Sequence, residues 1–187
     1  MSKLLWLDLE TTGLDARKCD ILEVSLMEAD LFDPFNVSPV YDTVVWFPES
    51  KHGDIPEGDR QFILDMHTKN GLLEACARST SPGLRQVEHR LLDFVPWVEA
   101  KDDRPVLAGS TVHFDHDFIT QHMPELARRL SHRHYDVSAL KLFCQSMGMP
   151  KFRKAEAHRA QADIWESITH AKECTTWLKA NLKSKQF

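Results

Sequence analysis

The stretch that most constrains this chain is Leu4-Leu5-Trp6-Leu7-Asp8-Leu9-Glu10-Thr11-Thr12-Gly13-Leu14-Asp15. It starts as an apolar run with strand character and stops at a glycine that marks a turn. Alternate side chains of a strand point the same way, so Trp6, Asp8 and Glu10 share one face and Leu5, Leu7 and Leu9 the other. Two carboxylates on one face of an apolar strand are costly unless a partner or a metal compensates them. Asp8 and Glu10 therefore either hold a divalent cation at the strand's exit or lie on a face that meets water.

The rest of the chain yields a coarse order of elements. Residues 21–32 read as a second strand of mixed burial, 34–39 as a loop, and the β-branched, aromatic run 40–47 as a third strand. Short connections make these three an antiparallel meander. After a loop over 48–58, short helices are expected at 59–66 and 72–77, with His67 in the turn between them. Apolar residues at helical spacing predict a helix from Gly83, ended early by Pro96. A buried strand over 105–109 leads into a helix opening in the second half of 110–119. A helix at 124–130, an extended segment at 134–137 and a helix at 139–147 with Ser138 as N-cap follow. A basic loop holds Lys151, Arg153 and Lys154, and the last helix runs from about Arg159 to Leu182. Strands alternating with helices in this order predict an α/β fold, a mixed sheet with helices on both faces.

A chain of 187 residues suits one domain, expected to span 1–187. Its net charge of −5 excludes a bulk polycation, so contact with nucleic acid must be local, through a metal or a small basic cluster. Cys19, Cys76, Cys144 and Cys174 form no CxxC pair, which excludes zinc-ribbon and thioredoxin-like chemistry. Scattered cysteines predict reduced thiols in an intracellular, cytoplasmic protein. The first apolar run is short and carries Asp8 and Glu10, so no signal peptide is expected. No stretch approaches a membrane span. The absence of a GxxxxGK[ST] loop argues against an ATP-dependent enzyme.

Further acidic residues fall at telling places. Asp115 follows the second buried strand, and Asp163 lies in the first turns of the last helix, five residues after His158. Four carboxylates without thiolates favour Mg²⁺ or Mn²⁺, and paired ions suit phosphodiester chemistry. A histidine beside the ions can take a proton from water. Each residue also has an ordinary explanation. Asp115 can cap a helix, Asp117 can be the relevant residue instead, Asp163 can favour the helix dipole, and His158 is one of ten histidines.

Together the set Asp8-x-Glu10 with Thr11-Thr12-Gly13-Leu14, Asp115-x-x-Phe118 and His158-x₄-Asp163 resembles the DEDDh exonuclease superfamily. Asp115, not Asp117, has that superfamily's spacing to the following Phe. Within it, the chain resembles the oligoribonuclease family over nearly its full length. The likeness rests on residues 5–15, His67-Thr68-Lys69-Asn70-Gly71-Leu72, Met123-Pro124-Glu125-Leu126, Tyr135-Asp136-Val137-Ser138-Ala139-Leu140-Lys141 and His158-Arg159-Ala160-x-x-Asp163-Ile164-x-Glu166-Ser167.

The resemblance implies an RNase H-like fold and a homodimer. It implies 3′-to-5′ hydrolysis of short single-stranded RNA, especially dinucleotides, to 5′-mononucleotides. Asp8, Glu10, Asp115 and Asp163 would carry two Mg²⁺ or Mn²⁺ ions, and His158 would be the general base. Leu14 and Phe62 fall where the family wedges and stacks the bases, with His67 beside them. Thr111, Arg133 and Ser138 fall where it caps the 5′-phosphate. Phe62 stands where the family usually has Trp, and His132 where it usually has Tyr. His113-Phe114 replaces a Gly-Gln pair, and Thr11 replaces a Met. These departures bear on the strictness of dinucleotide preference rather than on hydrolysis. Two alternatives stand beside this one: a broader DEDDh exonuclease on single-stranded DNA or longer RNA, and a catalytically silent nucleic-acid-binding subunit.

Overall fold

The computed structural model describes residues 3–78, 80–152 and 158–182. Five strands form one sheet: β1 (Lys3–Thr11), β2 (Ile21–Asp30), β3 (Asp33–Val44), β4 (Val106–Gly109) and β5 (His134–Asp136), in the order β3-β2-β1-β4-β5. The first three make the expected antiparallel meander, and β4 and β5 join in parallel. The sheet is therefore mixed.

Among the described residues seven α-helices connect and cover it: α1 (Glu57–Lys69), α2 (Leu72–Ala77), α3 (Leu84–Phe94), α4 (Val112–His122), α5 (Pro124–Arg129), α6 (Val137–Ser146) and α7 (Ala160–Leu182). The alternation in β1 sorts them. Leu5, Leu7 and Leu9 pack with Val87 and Leu91 of α3, Phe118 and Ile119 of α4 and Leu126 of α5. On the other face, Leu4 and Trp6 pack with Val137 of α6 and with Ile164, Ile168 and Ala171 of α7. A smaller cluster joins Leu22 and Phe47 to Ile63, Leu72 and Cys76. The four cysteines are free and buried, and among the described residues no helix is long and apolar enough to cross a membrane.

Five expectations change. The expected loop over 34–39 is strand: β3 begins at Asp33 and carries Pro34 and Pro39. Proline lacks an N–H, but β3 is the sheet's edge, where a missing donor breaks no second ladder. Beyond Val44 the third segment leaves the ladder and is held by single bonds, Val45 N–H to the Leu22 carbonyl, Trp46 N–H to the Pro82 carbonyl and Phe47 N–H to the Cys76 carbonyl. β2 is buried along nearly its whole length, because it runs between two strands and under helices. α1 extends through His67 to Lys69 and stops at Asn70, before Gly71 with its positive φ of 75°. Ser138 does not cap α6; Asp136 does, its Oδ1 accepting from Ala139 N–H at 3.1 Å. Arg153 and Lys154 of the expected basic loop lie outside the described residues.

Candidate active site

Strand register gathers charge at one end of the sheet. Glu10 lies opposite Glu23 and Asp8 opposite Ser25, so the carboxylates share the face that Trp6 and Met27 occupy further back. α7 lies across that face because Ile164, Ile168 and Ala171 pack on Leu4 and Trp6. Its first turn thereby delivers Asp163. Asp8, Glu10 and Asp163 each offer an oxygen, and these atoms lie within 4.8 Å of one another. Asp115 comes from the first turn of α4 and sits behind them, 4% exposed, accepting from Leu9 N–H at 3.1 Å.

Such a cluster resists full ionisation. Burial, followed by the charge of Asp163 and then Glu23, pushes the Glu10 carboxyl from 4.5 up to about 8. Burial likewise raises Asp115 to about 8, against the opposing pull of the Leu9 amide. Asp8 is raised well above the carboxylate range, first by burial and then by Asp115, Glu10 and Asp163. Desolvation and like charges work in the same direction here. The oxygen-only donor set and this unbalanced negative charge fit a hard divalent cation, which would reverse both effects.

The cluster lies at the junction of two lobes of one cleft, of about 450 Å³ and about 430 Å³. Asp8, Ser110, His158 and Asp163 line both lobes. His158 lies two residues before the first residue of α7, with a φ of 45°. Leu14 and Phe62 line the first lobe and are 80% and 66% exposed. They meet there because the chain turns at Gly13, where φ is 153° and a Cβ would lie 2.7 Å from Cys19 Sγ. Two large apolar side chains left exposed beside a carboxylate cluster form a surface for a flat, partly apolar ligand.

The second lobe holds Thr111 and Ser138, whose hydroxyls are 3.0 Å apart. Asp136 sets this pair. Its Oδ1 caps α6, and its Oδ2 accepts from Val112 N–H at 3.0 Å, tying the starts of α4 and α6 together. Sequence reading missed Asp136, although an aspartate directly before an apolar helical run is a capping signal. Arg133 is not among the residues lining either lobe; its guanidinium pairs with Asp102 at 3.1 Å, on the surface. His67 is fully buried, with Nε2 3.8 Å from Glu10 Oε2, and burial lowers its pKa to about 4. In this conformation it backs Glu10 and does not face the cleft.

Known proteins share both the sequence and the fold. No family model matches the chain. It is 31% identical over 170 residues to a probable oligoribonuclease of Schizosaccharomyces pombe, covering 88% of this chain and 64% of that protein. It is 33% identical over 177 residues to an oligoribonuclease of a Mycobacterium species, covering 91% of this chain and 78% of the relative. For the human mitochondrial oligoribonuclease the identity is 32% over 170 residues, covering 89% and 69%. Among solved structures, Escherichia coli exonuclease I in complex with a dT13 oligonucleotide superposes with a TM-score of 0.63 at 14% identity. That match covers 98% of this chain and 43% of the other. The apo form of exonuclease I gives a TM-score of 0.61 at 15% identity, covering 96% and 42%. The fold is accordingly RNase H-like, and by its 33% and 32% identity over more than two thirds of the mycobacterial and human relatives the chain belongs to the oligoribonuclease family.

Proposed function

We propose that this protein is a metal-dependent 3′-to-5′ exoribonuclease that hydrolyses short single-stranded RNA, dinucleotides above all, to 5′-mononucleotides. The observation that carries this reading is the convergence of Asp8, Glu10 and Asp163 within 4.8 Å, in a cleft whose wall presents Leu14 and Phe62. The relatives named oligoribonuclease support the RNA substrate.

Asp8, Glu10, Asp115 and Asp163 would hold two Mg²⁺ or Mn²⁺ ions. Such ions supply charge stabilisation at the phosphoryl oxygens and an acidified water. The protein's own groups do the rest. Phe62 stacks on a base, and Leu14 wedges beside it. Thr111 and Ser138 offer hydroxyl donors to the 5′-phosphate in the second lobe. His158, on the wall between the lobes, takes the proton of the attacking water. The working form is proposed to be a cytoplasmic homodimer.

One observation favours the broader alternative, exonuclease action on longer RNA or single-stranded DNA. Arg133 pairs with Asp102 outside the cleft, leaving the 5′ end without its fork of donors. A length series decides between them. With Mn²⁺ present, 5′-labelled RNA from the dinucleotide upward is compared with single-stranded DNA of matched length. Fast cleavage of the dinucleotide alone is the expected outcome. Equal or faster cleavage of long strands establishes the broader enzyme, and no cleavage of any substrate sinks both.

A further inference from the structure

Three consecutive residues leading into α7, His158, Arg159 and Ala160, are each tied down by a different bond. The carbonyl of His158 accepts from Asn70 Nδ2 at 2.7 Å. The guanidinium of Arg159 forks onto Glu23, with Nε 3.1 Å from both carboxylate oxygens and Nη2 2.6 Å from Oε1. The amide of Ala160 donates to Glu23 Oε2 at 3.0 Å. His158 itself has a φ of 45°, a left-handed conformation that side chains rarely adopt and that persists where the surroundings over-determine it.

Glu23 is an unexpected residue to find there. It is 2% exposed and lies directly opposite Glu10 on the sheet face that already carries the acidic cluster. A buried carboxylate beside other carboxylates is costly unless it is paired and hydrogen-bonded. Arg159 and the Ala160 amide supply that pairing, in the two-pronged geometry a guanidinium makes best. Asn70 is equally constrained. It caps α1, and its Oδ1 accepts from Leu72 N–H at 3.1 Å, which leaves Nδ2 as the donor that faces His158.

We propose that Glu23, Arg159 and Asn70 are positioning residues: a clamp from β2 and α1 that fixes the backbone of residues 158–160 and so holds the His158 ring at the wall shared by both lobes. The clamp rests on the reading of His158 as the general base. It also ties that base to α1, the helix that carries Phe62, so that base seating and proton transfer share one support. Misplacing a catalytic group by an ångström costs far more in turnover than in binding.

The test is a mutant cycle on the full chain with Mn²⁺ and a diribonucleotide. Asn70→Asp keeps the acceptor for Leu72 and removes the donor to His158. Arg159→Lys keeps the charge facing Glu23 and removes the fork. Each is made alone and together with His158→Ala, and thermal midpoints are recorded alongside. Each single variant is expected to lose kcat by about tenfold, with KM changed less than about twofold. In the His158→Ala background, neither is expected to cost more than about twofold further, because a residue acting through His158 has nothing left to position. Losses that multiply in that background, or single variants with unchanged kcat, overturn the clamp and leave the general-base assignment standing. Normal turnover in His158→Ala overturns both. Should Arg159→Lys fold poorly, Asn70→Asp decides alone, since it removes one donor at a partly exposed position.

Discussion

At the scale of single residues, two side chains separate chemistry from binding. Asp8 is held near Glu10 and Asp163 against both burial and repulsion. Asp8→Ala is expected to abolish hydrolysis while the metal-free protein melts no lower than the wild type, because the substitution removes a carboxyl that burial and its acidic neighbours already disfavour. A collapse of the thermal midpoint would instead make Asp8 a structural residue. Phe62 packs little of its ring on the protein, being 66% exposed. Phe62→Ala is expected to weaken substrate binding by about 1–3 kcal/mol through KM, with kcat nearly unchanged, if the ring stacks on a base. An unchanged Michaelis constant would remove Phe62 from the substrate site. His67 shows what a single residue's environment adds. The family resemblance implies a place beside Phe62, and here the last turn of α1 turns it inward behind Glu10.

At the scale of elements, strand register and helix ends carry the site. The period-two pattern of β1 was readable because one face is all leucine and the other carries both carboxylates. The boundaries of α2 and the stop of α3 before Pro96 also follow from local signals. The extent of β3 did not, since two prolines speak against a strand until the sheet order places it at an edge. The cap of α6 did carry a local signal, an aspartate directly before an apolar run, but its second role did not. Asp136 serves two helices at once, and its bond to Val112 is a contact between residues 24 positions apart. Asp136→Ala is expected to destabilise the fold by about 1–2 kcal/mol, the usual scale for one lost cap. The same variant is expected to lower activity, since Thr111 and Ser138 lose their shared anchor. Denaturant unfolding together with the dinucleotide assay checks both, and loss of stability without loss of activity would confine Asp136 to folding.

At the scale of the whole molecule, the acidic cluster couples folding to pH and to metal. Glu10 and Asp115 hold their protons to about 8 in the folded state, whereas in the unfolded chain they ionise in the ordinary carboxylate range near 4. The folded state therefore binds more protons, and stability is lost as pH rises toward the folded value. His67 acts in the opposite direction below its unfolded value of about 6.5, because burial keeps it neutral down to about 4. Between pH ~6.5 and ~8 only the carboxylate effect remains. The metal-stripped protein is expected to melt lower as pH climbs through this window. Added Mn²⁺ is expected to raise the midpoint more at the upper end, because it binds the deprotonated native cluster. A midpoint indifferent to both pH and Mn²⁺ would mean that these carboxylates hold no cation.

Residue types and their spacing already set the alternation of β1, the α/β order of elements, and the identity of the residues able to serve as ligands and base. These are local properties: side-chain type, and a period set by backbone geometry. Tertiary structure alone decided which of them meet. Asp163 reaches Asp8 and Glu10 because α7 packs its apolar stripe on Trp6. Arg133 is drawn to Asp102 and away from the cleft. Glu23, an ordinary strand residue by sequence, becomes the counter-charge of Arg159 through a pairing 136 residues long. Contacts of that range depend on how the sheet and helices dock, and no window of neighbouring residues encodes them.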